Sequence, residues 1–156
     1  MLGRLHSVIS QYAPVASVWE LAGTYYVLFV SGETRTATDD EIRAAKLAAV
    51  TDDIKADRDR RKGLGCHVGP HRFHSDDASR IQQLGLVMMG QSMPAGVKWK
   101  TMDGSFADMT PTLAAQIFQA QAARDMALFA VCEQHIAAAA LADDPLAYDY
   151  SAGWPD

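Results

Sequence analysis

The sequence predicts an α+β fold, in which a small antiparallel β module at the N-terminus is joined by a long helix to a helical domain carrying two short β-hairpins. Three observations predict this class. The strongest strand signal lies in residues 17–36, helix start and stop signals enclose residues 38–62, and two later stretches combine short strand patterns with glycine turns. The predicted domains are therefore a β module (1–37), a connecting helix (38–62) and a helix and β-hairpin domain (63–156).

Residues 17–36, SVWELAGTYYVLFVSGETRT, are rich in β-branched and aromatic side chains. Breaks at Ala22-Gly23 and Ser31-Gly32 predict two turns and hence three short antiparallel strands. In the middle strand, Tyr25 and Tyr26 are expected to point to opposite sides, and both sides of that strand are apolar. Because so small a sheet is not stable alone, another element must cover at least one of its faces.

The connecting helix is predicted to make about six turns at 3.6 residues per turn. Thr38 and Glu41 form a capping box at its start, and the basic residues from Arg58 to Lys62, followed by Gly63, suit its C-terminal end. Its apolar stripe is narrow and consists mostly of small side chains. Such a helix packs closely against a neighbour or links two modules.

After the connecting helix, Gly69-Pro70 indicates a turn between two short strands, 65–68 and 71–74. The next helix is expected to begin at a cap formed by Ser75 or Asp76. It is predicted to bury four apolar side chains at core spacing: Ile81, Leu84, Val87 and Met88.

A second hairpin is predicted around Asp103-Gly104, and Thr110 caps a last helix that has Pro111 at its first position. This helix, 111–141, is rich in alanine and presents a broad apolar surface that can meet more than one neighbour. Its larger apolar side chains are Leu113, Ile117, Phe118, Met126, Leu128, Phe129, Val131 and Ile136. The tail is expected to fold back through its aromatic residues Tyr148, Tyr150 and Trp154.

The composition excludes several classes of function. With a net charge of -5 and a sequence pI near 5.4, the chain lacks the clustered positive field of a nucleic-acid binder, so no nucleic-acid partner is expected. No stretch approaches the roughly 20 apolar residues of a membrane helix, and no cleavable signal is found, so membrane insertion is not expected. Cys66 and Cys132 lie far apart and are expected to remain thiols in a reducing compartment.

The stretch 66–77, CHVGPHRFHSDD, concentrates three histidines and one cysteine, which raises the alternative of a metal site. The candidate ligands are Cys66, His71 and His74. Cys66 and His67 are adjacent, however, and would point to opposite faces of a strand, whereas compact zinc sites space paired ligands by about two to four residues. A hairpin without metal or other cofactor is therefore favoured. Neither a phosphate-binding glycine loop nor a nucleophile elbow is found, so the chain is not expected to be an enzyme.

Four motifs cover about the last two-thirds of the chain: KADRDRR (55–61), HRFHSDDASR (71–80), PAGVKWKTMDGSFADMT (94–110) and AYDYSAGWP (147–155). They resemble an uncharacterised domain family of tailed-phage and prophage tail proteins, which includes tail fibre and tail fibre assembly proteins. The chain departs from that family at Cys66, His67 and Gly69-Pro70, where the resemblance implies a hairpin and not metal ligands. The resemblance brings no catalytic residues.

The resemblance implies a non-enzymatic structural or accessory protein in the virion tail, present in the host cytoplasm during assembly. Its partners would be tail fibre or baseplate proteins and further copies of the chain, and a trimer is implied because tail fibres usually are trimers. One alternative is an assembly chaperone that is absent from the finished particle, and a second is a small metal-binding protein. The candidate interface residues are Trp19, Tyr25, Tyr26, Phe29, Trp99 and Trp154.

Overall fold

The computed structural model describes residues 1–155 and has the predicted α+β class, with an antiparallel three-stranded sheet near the N-terminus and two later hairpins among helices. The chain forms two compact units. The first unit contains Met1–Lys55 and Glu133–Ala152, and the second contains Ala56–Cys132 and the residues from Gly153 onward. The domain boundaries predicted from the sequence, after residues 37 and 62, remain a prediction. Within the described range, no helix combines the length and apolarity that a bilayer-spanning segment needs.

The first unit begins with a helix that was not predicted from the sequence, α1 (Leu2–Ile9). Three strands follow and pair in sequence order, as predicted: β1 (Val15–Leu21), β2 (Thr24–Phe29) and β3 (Thr34–Thr36). The turn between β1 and β2 has positive φ at both residues, 52° at Ala22 and 81° at Gly23. Both angles are those that a tight two-residue hairpin turn requires.

The inner face of the sheet is buried against α1. Val27 of β2 and Leu5 and Ile9 of α1 are at most 1% exposed, and they form a core with Ala45. α1 therefore supplies the cover that so small a sheet needs. An eight-residue helix is marginal alone, and tertiary packing stabilises it here, which explains why local sequence signals did not indicate it.

The long helix α2 (Asp39–Lys62) begins at the predicted capping box. The Glu41 amide donates to Thr38 Oγ1 at 3.2 Å, and the Thr38 amide donates to Glu41 Oε2 at 2.8 Å. Glu41 also accepts two hydrogen bonds from the guanidinium of Arg35 in β3, at 2.6 and 2.8 Å. One carboxylate thus caps α2 and ties it to the sheet, and the hydrogen-bonded Arg35 guanidinium lowers the pKa of Glu41.

The remaining elements match the predicted order. Two hairpins are formed by β4 (Cys66–Val68) with β5 (His71–Phe73), and by β6 (Lys98–Lys100) with β7 (Phe106–Asp108). Two helices follow the hairpins in turn: α3 (Asp77–Met89), capped by Asp76, and α4 (Pro111–Leu141), capped by Thr110. Short 3-10 turns lie after each helix, at Gly90–Ser92 and Pro145–Ala147.

The core of the second unit forms around Phe73 and Ile117, which are both fully buried. Gly65 lies beside this core with φ +96°. A Cβ atom at Gly65 would lie 2.8 Å from the Phe73 carbonyl oxygen and would collide with Met102 Sδ. Glycine is therefore required here both by the backbone conformation and by the lack of space. The other buried residues of the core are Cys66, Ala107, Met109 and Ala114.

Arg80 of α3 joins several segments of the second unit. Its guanidinium donates to both carboxylate oxygens of Asp125 in α4 at 2.8 and 3.0 Å, and to the carbonyls of Ser75 at 2.5 Å and Lys62 at 3.3 Å. The Ser75 hydroxyl donates to the same Lys62 carbonyl at 2.5 Å and accepts from the Gly65 amide at 2.8 Å. The last carbonyl of α2, which has no partner within the helix, is satisfied in this way.

The predicted core of α3 is wrong at three of its four positions. Ile81, Leu84 and Met88 are 72, 42 and 79% exposed, whereas Val87 packs against the core as predicted. The buried residue of α3 is instead Gln83, which is 1% exposed. The helix is therefore rotated relative to the orientation that its apolar pattern predicted.

Hydrogen bonds explain the burial of Gln83. Its side-chain nitrogen donates to the His74 carbonyl at 2.9 Å, and its side-chain oxygen accepts from the Gln121 amide of α4 at 2.6 Å. Gln121 also donates to the His74 carbonyl, at 3.2 Å. An amide that is satisfied at both ends can be buried without the usual penalty, so α3 turns Gln83 inward.

We predict that Arg80→Met lowers the free energy of unfolding by about 2 to 4 kcal/mol, because Asp125 and the Ser75 carbonyl lose their donor and the Lys62 carbonyl loses one of two donors. The Arg80 and Asp125 side chains are 24 and 21% exposed, so water replaces only part of what is lost. The matched control is Arg60→Met, at a side chain 58% exposed, which should cost less than about 0.5 kcal/mol. Urea unfolding followed by circular dichroism measures both values, and equal losses would contradict the role of Arg80.

Glu41 should make the stability of the first unit pH-dependent. Because its pKa is lowered in the folded chain, the ionised carboxylate contributes stability above the unfolded value of roughly 4.3, and this contribution is lost as pH falls through the lower folded value. We predict that Glu41→Gln lowers the free energy of unfolding at pH 7 by about 1 to 2 kcal/mol. Unfolding titrations at several pH values should show this difference shrinking below about pH 4. A difference that stays constant down to low pH would count against the ion pair.

Candidate interaction surfaces

The outer face of the sheet carries an aromatic pair formed by the exposed Trp19 and the partly buried Tyr26. Trp19 of β1 lies opposite Tyr26 of β2, and their rings stack with a centroid distance of 5.6 Å and an interplanar angle of 14°. Trp19 is 36% exposed and Leu21 is 63% exposed. Because side chains alternate along a strand, Leu21 and Leu28 lie on the same side of the sheet as the aromatic pair. We call this surface, formed by Trp19, Leu21, Tyr26 and Leu28, the sheet face.

Two of the predicted interface residues lie on the inner side of the sheet. Tyr25 and Phe29 are partly buried and pack against the core of the first unit. The guanidinium of Arg35 lies 5.2 Å from the centroid of the Phe29 ring, and Phe29 lines an open cleft together with Pro14 and Val30. Tyr25 and Phe29 therefore contribute mainly to the packing of the unit.

The two other predicted interface residues belong to the second unit, and both are partly buried. Trp99 packs against the core of this unit. The guanidinium of Arg61 lies 5.0 Å from the centroid of the Trp154 ring. Of the four predicted residues in the first unit, the structure thus brings Trp19 and Tyr26 together and places Tyr25 and Phe29 on the other side of the sheet.

A second apolar surface lies on α3 and α4. Part of the broad apolar surface predicted for α4 is buried, as at Ile117 and Leu128, but Phe118 and Met126 are 44 and 68% exposed. On α3, three of the four exposed apolar side chains, Ile81, Leu84 and Met88, follow one side of the helix at spacings of three and four residues. We call these five residues the helical face: Ile81, Leu84, Met88, Phe118 and Met126.

A shallow cleft runs between the two helices of the helical face. Ile81, Leu84 and Phe118 line it, and the ion pair of Arg80 with Asp125 lies at its rim. The lining is mainly apolar because Arg80 and Asp125 direct their charged groups at each other. Sequence periodicity missed this surface, since it assigned the α3 residues to the interior.

The cysteine and histidine cluster forms the predicted hairpin. In the register of β4 and β5, Cys66 lies opposite Phe73 and Val68 lies opposite His71. Cys66 is 2% exposed, and the His71 ring packs against the Phe73 ring at a centroid distance of 6.0 Å. His74 contributes its backbone carbonyl to the two buried glutamine amides. Across residues 1–155, no three histidine, cysteine or acidic side chains are grouped so that they could hold a metal ion.

Burial governs the state of the thiols. Cys66 and Cys132 are both buried, and neither forms a disulfide. Burial raises the pKa of the Cys66 thiol. A raised pKa lowers the fraction of thiolate, which is the nucleophilic form, so the Cys66 side chain is held in its less reactive state.

His135 fixes the C-terminal tail within the first unit, a role that the sequence did not indicate. Its Nδ1 lies 2.9 Å from the Tyr148 hydroxyl, and its Nε2 lies 3.0 Å from the Ala152 carbonyl. The predicted folding back of the tail is therefore observed at Tyr148. The sequence signal for the folding back of the tail was its aromatic content, which does not indicate that a histidine is the partner.

By fold, the chain is an α+β protein, and two of its exposed apolar surfaces are the sheet face and the helical face. It belongs to the family described as a domain of unknown function, DUF4376, which it matches over residues 41–152. The helical face lies within the matched range, whereas the sheet face precedes it. Neither the curated proteins nor the solved structures include a match to this chain.

We predict that iodoacetamide modifies Cys66 in the folded protein at pH 8 at least about a hundredfold more slowly than in the urea-unfolded chain, because the thiol is buried and its pKa is raised. Peptide mass mapping reports Cys66 and Cys132 separately. Phe73→Ala, which opens the core beside Cys66, should accelerate modification of Cys66. Rapid modification in the folded wild-type protein would contradict the assigned burial.

Proposed function

We propose that this chain is a non-enzymatic structural or accessory protein of a phage or prophage tail, and that it attaches to a tail fibre or baseplate protein through the sheet face. The four motifs that resemble tail proteins support the tail assignment. The stacked pair of Trp19 and Tyr26, in which Trp19 is exposed, supports attachment through a protein surface. On this proposal, the protein is located in the virion tail, and in the host cytoplasm during assembly.

The chemistry of the sheet face suits a protein partner. Trp and Tyr are the side chains that most often dominate binding energy once a partner covers them. The stack already holds both rings in one arrangement, so less side-chain entropy is lost on association. The polar residues that share this side of the sheet carry no charge: Ser17, Thr24, Thr34 and Thr36.

The position of β1 adds a second way of binding. β1 lies at the edge of the sheet, with β2 on its inner side. An edge strand presents backbone donors and acceptors that can pair with a strand of a partner. A partner that covers Trp19 and Leu21 can therefore also extend the sheet along β1, which would give the attachment a defined direction.

We predict that purified particles of the source phage, or of the induced prophage, contain this protein at a fixed copy number. Quantitative mass spectrometry, with a tail tube protein as internal standard, measures that number. Absence from particles, combined with tight binding to an unassembled fibre protein, would overturn the virion assignment and favour the assembly chaperone.

The same measurement tests the sheet face. Trp19→Ser should lower the copy number by roughly tenfold or more, because it removes one half of the aromatic pair. Tyr12→Ser is the matched control, since Tyr12 is an 84% exposed aromatic residue of the same unit that lies outside the sheet. Thermal unfolding of both variants checks that they are folded. Incorporation of Trp19→Ser at the wild-type level would contradict attachment through this face.

A further inference from the structure

The helical face remains exposed to solvent although it is apolar. Ile81, Met88 and Met126 are each more than two-thirds exposed, and Leu84 and Phe118 are each more than two-fifths exposed. Together, the five side chains present roughly 600 Å² of apolar surface, which matches the largest patches on ordinary monomers. This area approaches the roughly 800 Å² that each partner contributes to a stable interface.

The five side chains of the helical face carry no charge, although Arg124 and Asp125 directly precede Met126. Residues 81–97 and 109–123 contain no Asp, Glu, Lys or Arg, in a chain of which 21% is charged. At the rim, Arg80 and Asp125 neutralise each other through two hydrogen bonds. A highly charged partner would find no complementary groups on this surface, whereas two identical copies of it meet without repulsion between like charges.

Gly85 leaves room for another helix to approach α3 closely. It lies in the middle of α3, and a Cβ atom at this position would meet no atom within 4 Å. The folded monomer therefore has no need for glycine here, although glycine weakens a helix. Gly85 lies on the same side of α3 as Ile81 and Met88, so its missing side chain allows a second helix to approach the backbone of α3 within the helical face.

We propose that the helical face binds the helical face of a second copy of this chain, in a pair related by a two-fold axis. An isologous contact uses the same patch on both partners, which an uncharged apolar patch satisfies by itself. The geometry points to a dimer and not to the trimer that the resemblance to tail proteins implies. The pairing does not rest on the tail assignment, because it is a property of the purified chain.

Sedimentation equilibrium of the purified full chain tests the pairing. At tens of micromolar, we expect a mass of twice 16.9 kDa. A monomer that persists at several hundred micromolar would overturn the proposal. A trimer would overturn the two-fold arrangement. Because the measurement uses no other tail component, it gives an answer whether or not the protein is found in particles.

Gly85→Arg separates pairing from folding. The Cβ atom of the arginine has open space in the monomer, and arginine favours the helix more than glycine does, so the thermal midpoint should stay the same or rise. In the dimer it would fill the space between the two helices and place like charges opposite each other. We therefore expect the dissociation constant to rise by about a hundredfold or more. A Gly85→Arg protein that stays dimeric would exclude this face from the contact.

A second pair of variants tests the contribution of α4. Met126→Glu places a charge on the helical face and should give a monomer. Leu141→Glu is the control, because Leu141 is an 86% exposed residue at the end of the same helix and lies in the first unit. It should leave the dimer unchanged. Dissociation of the dimer by Leu141→Glu but not by Met126→Glu would place the contact elsewhere and overturn the proposal.

Discussion

The arrangement of the second unit depends on the hydrogen bonds that Arg80 donates. They reach the last carbonyl of α2, the segment before α3, and the carboxylate of Asp125 in α4, so that one side chain fixes three helices. Arginine suits this position because its planar guanidinium donates in several directions at once and stays charged. Without these bonds, the Ser75 carbonyl and the Asp125 carboxylate would lose the hydrogen bonds they accept from Arg80, and the Lys62 carbonyl would keep only the Ser75 hydroxyl as a donor. α3 must therefore direct Arg80 inward.

This constraint also determines which side of α3 faces solvent. At 100° per residue, the inward side that contains Arg80 also contains Gln83 and Val87, and the opposite side contains Ile81 and Met88. The inward position of the hydrogen-bonded Arg80 and Gln83 and the exposure of Ile81 and Met88 are thus two results of the same rotation of α3. Apolar side chains left in water forgo roughly 1.5 to 3 kcal/mol each, which can be recovered only when another surface covers them.

The sequence was sufficient to predict an interaction when both of its partners lie close together along the chain. The capping box of Thr38 with Glu41 is of this kind, as are the hairpin turns, and all of them form as predicted. The rotation of α3 could not be predicted, because the bond from Gln121 to Gln83 spans 38 residues and apolar periodicity gives no weight to a buried amide. The helix α1 was not predicted either, because packing against the sheet stabilises it and local sequence signals do not indicate it. The two sides of β2 were distinguishable from the sequence, but only the position of α1 decides that Tyr25 packs against the core of the first unit while Tyr26 lies on the opposite side of the sheet.

The motifs that resemble tail proteins hold the scaffold and not the exposed faces. In HRFHSDDASR, Phe73 fills the core, Ser75 and Arg80 join the segments, and Asp76 caps α3. In the second hairpin, the Asp103 carboxylate accepts from Thr101 and Ser105, and these bonds lower its pKa to about 2, so that the turn is held by an ionised side chain. The residues of the sheet face and of the helical face lie outside the four motifs. A scaffold maintained by such motifs can therefore keep its fold while the surfaces that it presents are adapted to different partners.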